Sequence, residues 1–234
     1  MGESRHNPNQ LLKTIQADEG NRNKGHLKIF FGYAAGVGKT YAMLEAAHME
    51  KQQGIDVVAG YIEPHSRPKT AALLNGLEVL PTREVLYNGM ILNEFDIDMA
   101  LKRKPQLILV DELAHTNAEG CRHAKRYQDI KELLNAGIDV YTTVNVQHIE
   151  SLCDTVASIT EIVVRERIPD SLFDNADQIE LIDIEPQDLI DRLNTENVYR
   201  QTQAKQAVEN FFTIENLTAL REIALRRCAD RVNI

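Results

Sequence analysis

Long apolar runs are missing from this 234-residue sequence. No stretch approaches the roughly 18 apolar residues that a membrane-crossing helix requires, so no direct membrane span is expected in this segment. Residues 1–25 are polar and lack the apolar centre of a secretory signal; they read as a flexible N-terminal tail, with one short helix around Leu11-Leu12-Ile15. Cysteine is scarce. Cys121, Cys153 and Cys228 stand far apart, with no C-x-x-C pair, which fits ordinary thiols in a reducing, cytoplasmic setting. Positive charge is also short: 26 Lys+Arg against 35 Asp+Glu leave a formal net charge of −9. That balance argues against nucleic acid or an anionic membrane surface as a general partner. Internal repeats and low-complexity linkers are absent too, and residues 26–234 read as a single α/β domain with enough chain to bury a core.

What is present begins with Leu27-Lys28-Ile29-Phe30-Phe31, a short apolar run consistent with a buried strand. Residues 41–53 carry Met43, Leu44, Ala46 and Ala47 at helical spacing and stop at Gly54, and Val57–Ile62 is a second strand. A strand–helix–strand unit of this kind implies parallel pairing. Asn88-Gly89 between Val85-Leu86-Tyr87 and Met90-Ile91-Leu92 predicts an inserted β-hairpin near 84–93. Further strands are expected at Leu107–Val110, Ile138–Val144, Ile162–Val164 and Ile179–Ile182, and helices at Tyr127–Ala136, Pro186–Leu193 and Gln203–Arg227. The expected fold is P-loop NTPase-like, a mostly parallel sheet flanked by helices.

Two motifs carry chemistry. Gly36-Val37-Gly38-Lys39-Thr40 follows the first strand and opens a helix. Glycines there let backbone N–H groups curl around phosphate oxygens, the helix N-terminus adds a favourable dipole, lysine reaches the outer phosphates and threonine binds magnesium. The match is imperfect, because the position of the first glycine in G-x-x-x-x-G-K-[ST] is Tyr33, with Gly32 one residue early. Gln106–Val110 then ends in Asp111-Glu112. In a phosphate-loop reading Asp111 holds magnesium together with Thr40, and Glu112 polarises an attacking water. The plainer alternatives are a strand–turn–helix with a chance lysine and a strand that surfaces at an acidic turn.

Thr142, Thr143, Asn145 and Gln147 end a later strand, where a parallel sheet gathers ligand groups; Thr143 and Asn145 are candidates to contact the nucleotide, or else serve as ordinary strand and cap residues. Arg122, His123, Lys125 and Arg126 are either a source of charge for phosphates or a solvated helix start. His65 and Arg67 lie in a loop after the second strand, with functional and structural readings both open. His115 and His148 have no partners at metal-ligand spacing, so zinc is not expected.

At these residues the sequence resembles the N-terminal input domain of the KdpD family, potassium-responsive sensor histidine kinases of bacteria. The likeness rests on Gly36–Thr40, Gly60–His65, Leu109–Asn117, Asp139–Leu152 and Asn216–Arg221, and covers residues 26–232. That family also carries the offset glycine. The resemblance implies a cytoplasmic ATP- and magnesium-binding module. It implies partners as well: downstream sensor-kinase domains bearing membrane helices and a histidine-kinase core, a response regulator, and a potassium-uptake system under their control. Histidine autophosphorylation is not expected of this segment itself. A regulatory module, a P-loop ATPase or protein-hydroxyl kinase using Glu112, and a scaffold with a relic loop remain the three alternatives.

Overall fold

The computed structural model describes residues 24–63, 68–87, 89–195 and 211–232. Most of the expected tail with its Leu11–Ile15 helix, His65, Arg67, Asn88 and the Gln203 start of the last helix fall outside those residues. Short apolar runs without polar alternation need cover on both faces, and only a parallel sheet between two helical layers provides it. That is the architecture found. Strands β1 (Leu27–Gly32), β2 (Val57–Tyr61), β3 (Glu78–Val79), β6 (Leu107–Val110), β7 (Asp139–Asn145) and β8 (Gln178–Leu181) form one sheet in the order β3-β2-β6-β7-β1-β8. Every pairing in it is parallel. The expected insertion is present as a separate antiparallel ribbon of β4 (Arg83–Tyr87) and β5 (Met90–Glu94).

Helix α1 (Lys39–Gln52) covers one face, setting Met43, Leu44 and Ala47 against Phe30, Ala59, Leu107 and Leu109. The other face is covered by α4 (Arg126–Asn135), α5 (Cys153–Thr160), α6 (Asp170–Asp174), α7 (Pro186–Thr195) and α8 (Ile214–Val232), which bury Ile29, Phe31, Val58, Ile108 and Val110. Two shorter helices, α2 (Pro68–Ala72) and α3 (Ile97–Arg103), flank the β3 edge. Arg103 of α3 bridges Asp56 at 2.7 Å and Glu78 at 2.9 Å, tying that two-residue edge strand to the start of β2.

One expected strand is corrected. Residues 162–164 are irregular, and Val163 is 72% exposed. Helix α5 ends with Glu161 in the left-handed region at φ 58°, turning the chain onto the surface, where three apolar residues find no strand to pair with. Helix α1 begins two residues before its expected start, because Lys39 and Thr40 are already helical once Gly38 has made the turn.

Phe173 of α6 shows how the helical layer is fastened. It is fully buried, meets Phe31 edge-on at 4.8 Å between ring centroids, and lies 4.8 Å beneath the Arg227 guanidinium of α8. Phe173→Ala removes packing against a central strand and a cation–π contact together. We expect a loss of about 3–5 kcal/mol in urea unfolding; a loss under about 1 kcal/mol would mean the layer collapses into the gap.

Candidate functional site

Because β7 lies between β1 and β6, the glycine turn after β1 and the acidic pair after β6 flank the end of one strand. Register does the rest: Gly32 pairs with Asn145 and Leu109 with Tyr141, so Thr143 reaches the level of Asp111. These groups line a cavity of about 300 Å³ at the carboxyl ends of the strands. Ala35, Gly36, Lys39, Thr40, Asp111, Glu112, Thr143 and Asn145 border it, as do His115, His148 and Glu166. A hollow of about 580 Å³ lies at the opposite sheet edge between Lys24, His26, Lys131 and Asp177, away from all of these residues.

The turn is built by left-handed glycines, Gly36 at φ 94° and Gly38 at φ 111°, a region that costs a residue with Cβ about 1–2 kcal/mol. No side chain caps the N-terminus of α1. Its first amides are therefore available to an anion. Lys39 is nearly buried, and its Nζ donates to Ala34 O across the turn at 3.0 Å. Gly32 explains the offset pattern. A Cβ there would stand 2.7 Å from Val37 Cγ2 and 3.2 Å from Lys39 Cδ, so the turn needs glycine one residue earlier than the common pattern. Tyr33 fills the freed position with a buried ring whose hydroxyl donates to Ile184 O at 3.1 Å.

On the acidic side Asp111 is almost fully buried and is compensated by hydrogen bonds. Thr40 Oγ1 donates to its Oδ2 at 3.1 Å, the Thr143 hydroxyl donates to Oδ1, and the Glu112 N–H donates to Oδ1 at 3.1 Å. A hydroxyl and a carboxylate in contact are a hard-oxygen pair of the kind that suits magnesium with its remaining waters. Glu112 sits in the left-handed region at φ 58°, its N–H also held by Thr143 Oγ1 at 3.2 Å. Burial, then repulsion from Asp111 and Glu63, pushes its carboxyl up to about 7. Asn145 Oδ1 is buried with no hydrogen-bond partner among the described residues. Thr142 and Gln147 do not line the cavity.

The basic cluster divides: Arg122, His123 and Lys125 fit the solvated alternative, and Arg126 fits neither. Arg122 pairs with Asp98 and Glu132, His123 with Glu132 at 2.7 Å, and Lys125 with Thr116 at 2.6 Å; none lines the cavity. Arg126 is not solvated at all. It is completely buried, with Nη2 3.0 Å from Glu94 Oε2, Nη1 donating to Asp111 O at 3.3 Å, and its guanidinium 4.1 Å from the Tyr61 ring centre. Glu94 also faces His115 at 3.1 Å and accepts from Ala118 N at 2.9 Å. Burial acts to raise the Glu94 carboxyl, but these partners outweigh it and hold it below the usual range.

Sequence reasoning missed Glu166 and Arg192, neither of which belongs to a motif. Glu166 lines the cavity and accepts from Thr116 N at 2.8 Å, while its carbonyl meets His148 Nδ1 at 2.8 Å. Burial holds His148 below the ordinary histidine range. Arg192 of α7 donates from Nη1 to Gly36 O at 3.1 Å and to Val37 O at 3.4 Å.

The sheet order and these contacts define a parallel α/β domain that gathers a lysine, two hydroxyls and two carboxylates around one glycine turn. The chain belongs to the KdpD family: residues 23–232 match the family model described as the osmosensitive K+ channel His kinase sensor domain. It is 62% identical over 229 residues to the sensor protein KdpD of Clostridium acetobutylicum, covering 98% of this chain and 25% of that protein. The sensor protein KdpD of Escherichia coli (strain K12) is 55% identical, with the same coverage. A putative sensor protein KdpD of Synechocystis is 51% identical over 209 residues, 89% of this chain and 56% of that one. The chain thus spans about a quarter of the first two relatives and about half of the third. Among the described residues no helix is long and apolar enough to cross a membrane.

Asp129 of α4, beside Arg126, gives a test by pH. Burial pushes its carboxyl from the ordinary 3.8 up to about 6, although Asn117 Nδ2 donates to it at 2.7 Å. A carboxyl raised on folding binds more protons in the native state between those values. Its contribution is therefore complete below about pH 4 and lost as pH rises through about 6, a change of about 3 kcal/mol. Asn at this position does not titrate. The stability of Asp129→Asn relative to wild type should therefore grow by about that amount between pH 4 and pH 8, whatever its constant offset. Parallel curves in urea titrations at the two pH values would remove the buried-carboxylate account.

Proposed function

We propose that this domain is the ATP- and magnesium-binding regulatory input of a potassium-sensing, two-component histidine kinase. Its occupancy would control kinase output towards a response regulator of a potassium-uptake system. The single observation that carries the reading is the contact of Thr40 with Asp111 beside the left-handed glycine turn and Lys39. The names of the relatives, sensor protein KdpD, support the signalling part. The absence of a membrane-crossing helix among the described residues is compatible with a cytoplasmic location.

In this reading the turn is a phosphate loop. The N–H groups from Gly36 to Thr40 face the phosphates, and Lys39 exchanges its Ala34 contact for phosphate oxygens. Thr40 and Asp111 hold magnesium, directly or through its waters. Magnesium, when bound, neutralises charge between the outer phosphates. Thr143 keeps Asp111 oriented, and Asn145 offers at the cavity wall a buried oxygen that has no partner among the described residues. Lys39→Ala removes a charge-assisted contact of roughly 1.5–3 kcal/mol, so ATP should bind about ten- to hundredfold more weakly by calorimetry. Asp111→Asn should mainly weaken magnesium-dependent binding, with the metal-free component surviving. Unchanged affinity in a folded Lys39→Ala protein, or no effect of EDTA on the wild type, would sink the phosphate-loop and metal assignments respectively.

A second reading, a slow ATPase or a kinase acting on a protein hydroxyl, is favoured by Glu112. Its carboxylate lines the cavity one residue after Asp111, the placement that a general base for an attacking water requires. A regulatory domain should release phosphate far below the median enzyme rate of about 10 per second. The triphosphate should protect residues 112–126 and 142–149 from amide exchange more than ADP does, with a smaller change in α8. Equal protection by both nucleotides would remove the switch. Rapid turnover abolished by Glu112→Gln would put the enzyme first.

A further inference from the structure

We propose that Arg192 is a positioning residue for the phosphate loop, and that α7 couples the state of that loop to α8. This rests on the nucleotide-binding reading above and names the device through which binding reaches the C-terminal helix.

A loop that turns successive N–H groups inward turns carbonyls outward, where no strand or helix supplies donors. Here the donor is a guanidinium from a residue more than 150 positions later, reaching Gly36 O and Val37 O from one Nη. The start of the same loop is held by the same segment, since Tyr33 donates its hydroxyl to Ile184 O in the turn between β8 and α7. The loop is therefore gripped at its beginning and its middle by residues 184–192. That segment has a firm base: Leu189 and Leu193 of α7 are buried in the core at 0% and 4% exposure. Its other end is bound to α8 through Arg221, which meets Asp183 at 2.7 and 2.8 Å and Glu185 at 2.7 Å. A two-pronged Arg–carboxylate contact fixes position as well as charge.

An anion held by the loop amides polarises the same peptide groups whose carbonyls face Arg192, making those carbonyls better acceptors. Loop occupancy and the Arg192 contact then strengthen one another, and by linkage each favours the other equally. Both carbonyls are reached from one Nη, so lysine at this position keeps the charge and part of the contact but places its ammonium differently.

Amide exchange and calorimetry on the full chain test this with wild type, Arg192→Ala, Arg192→Lys and Arg221→Ala. In nucleotide-free protein, Arg192→Ala should speed exchange of residues 34–40 about three- to tenfold, the range of one lost hydrogen bond, with the melting temperature close to wild type. ATP with magnesium should bind more weakly by the same factor, and Arg192→Lys should recover part of both effects. Arg221→Ala should leave loop exchange as in wild type while abolishing the nucleotide-dependent protection of residues 214–232. Wild-type loop exchange in Arg192→Ala, or α8 protection that survives Arg221→Ala, overturns the proposal. If the wild type itself binds no ATP, the nucleotide reading fails separately, and the nucleotide-free loop exchange still decides the role of Arg192.

Discussion

The buried pair of Arg126 and Glu94 is the contact on which the acidic side of the site depends. Both are shielded from water, so each needs the other. Removing one partner of such a pair typically costs about 3–5 kcal/mol, because a bare charge is left behind. The pair is also a junction. Glu94 ends the β4–β5 ribbon, Arg126 begins α4, and the second Nη of Arg126 holds the carbonyl of Asp111. The ribbon, the loop from Glu112 to Lys125 and the end of β6 are thereby fixed to one another by three hydrogen-bonded groups and the face of Tyr61.

With that junction in place, the electrostatics around the cavity follow. Asp111 stays buried because two hydroxyls and an N–H satisfy it; Glu112, one residue on, has fewer compensating groups and is pushed towards neutrality. His115 stands among Glu94, Glu112 and Glu166 and so connects the junction to the cavity wall.

Much of this was legible in the sequence. The strand runs, the Asn88-Gly89 ribbon and the order of Gly36–Thr40, Asp111-Glu112 and Thr143–Asn145 encode local rules of period, turn chemistry and strand-end placement. Contacts across long separations were not legible. Arg126 looked like part of an exposed basic run because burial depends on Glu94, 32 residues away. Arg192 belongs to no motif, and its acceptors lie 155 and 156 residues earlier. Residues 162–164 looked like a strand by composition, and what they lack is a neighbour, which composition does not report. Tyr33 seemed a flaw in a motif until the β8–α7 turn supplied its partner.

The sheet order has a consequence for how the chain is made. Strand β1 has only two neighbours, and both come late: Leu27 pairs with Val140 of β7 and Lys28 with Gln178 of β8. On a ribosome adding about 5–20 residues per second, β1 waits roughly 8–30 seconds for its second neighbour. Strands β2 and β6 can pair meanwhile. Within this domain the glycine turn, which follows the first strand, is thus one of the last parts to be assembled. Until residues near 178 have been made, β1 stays an apolar strand without its second neighbour.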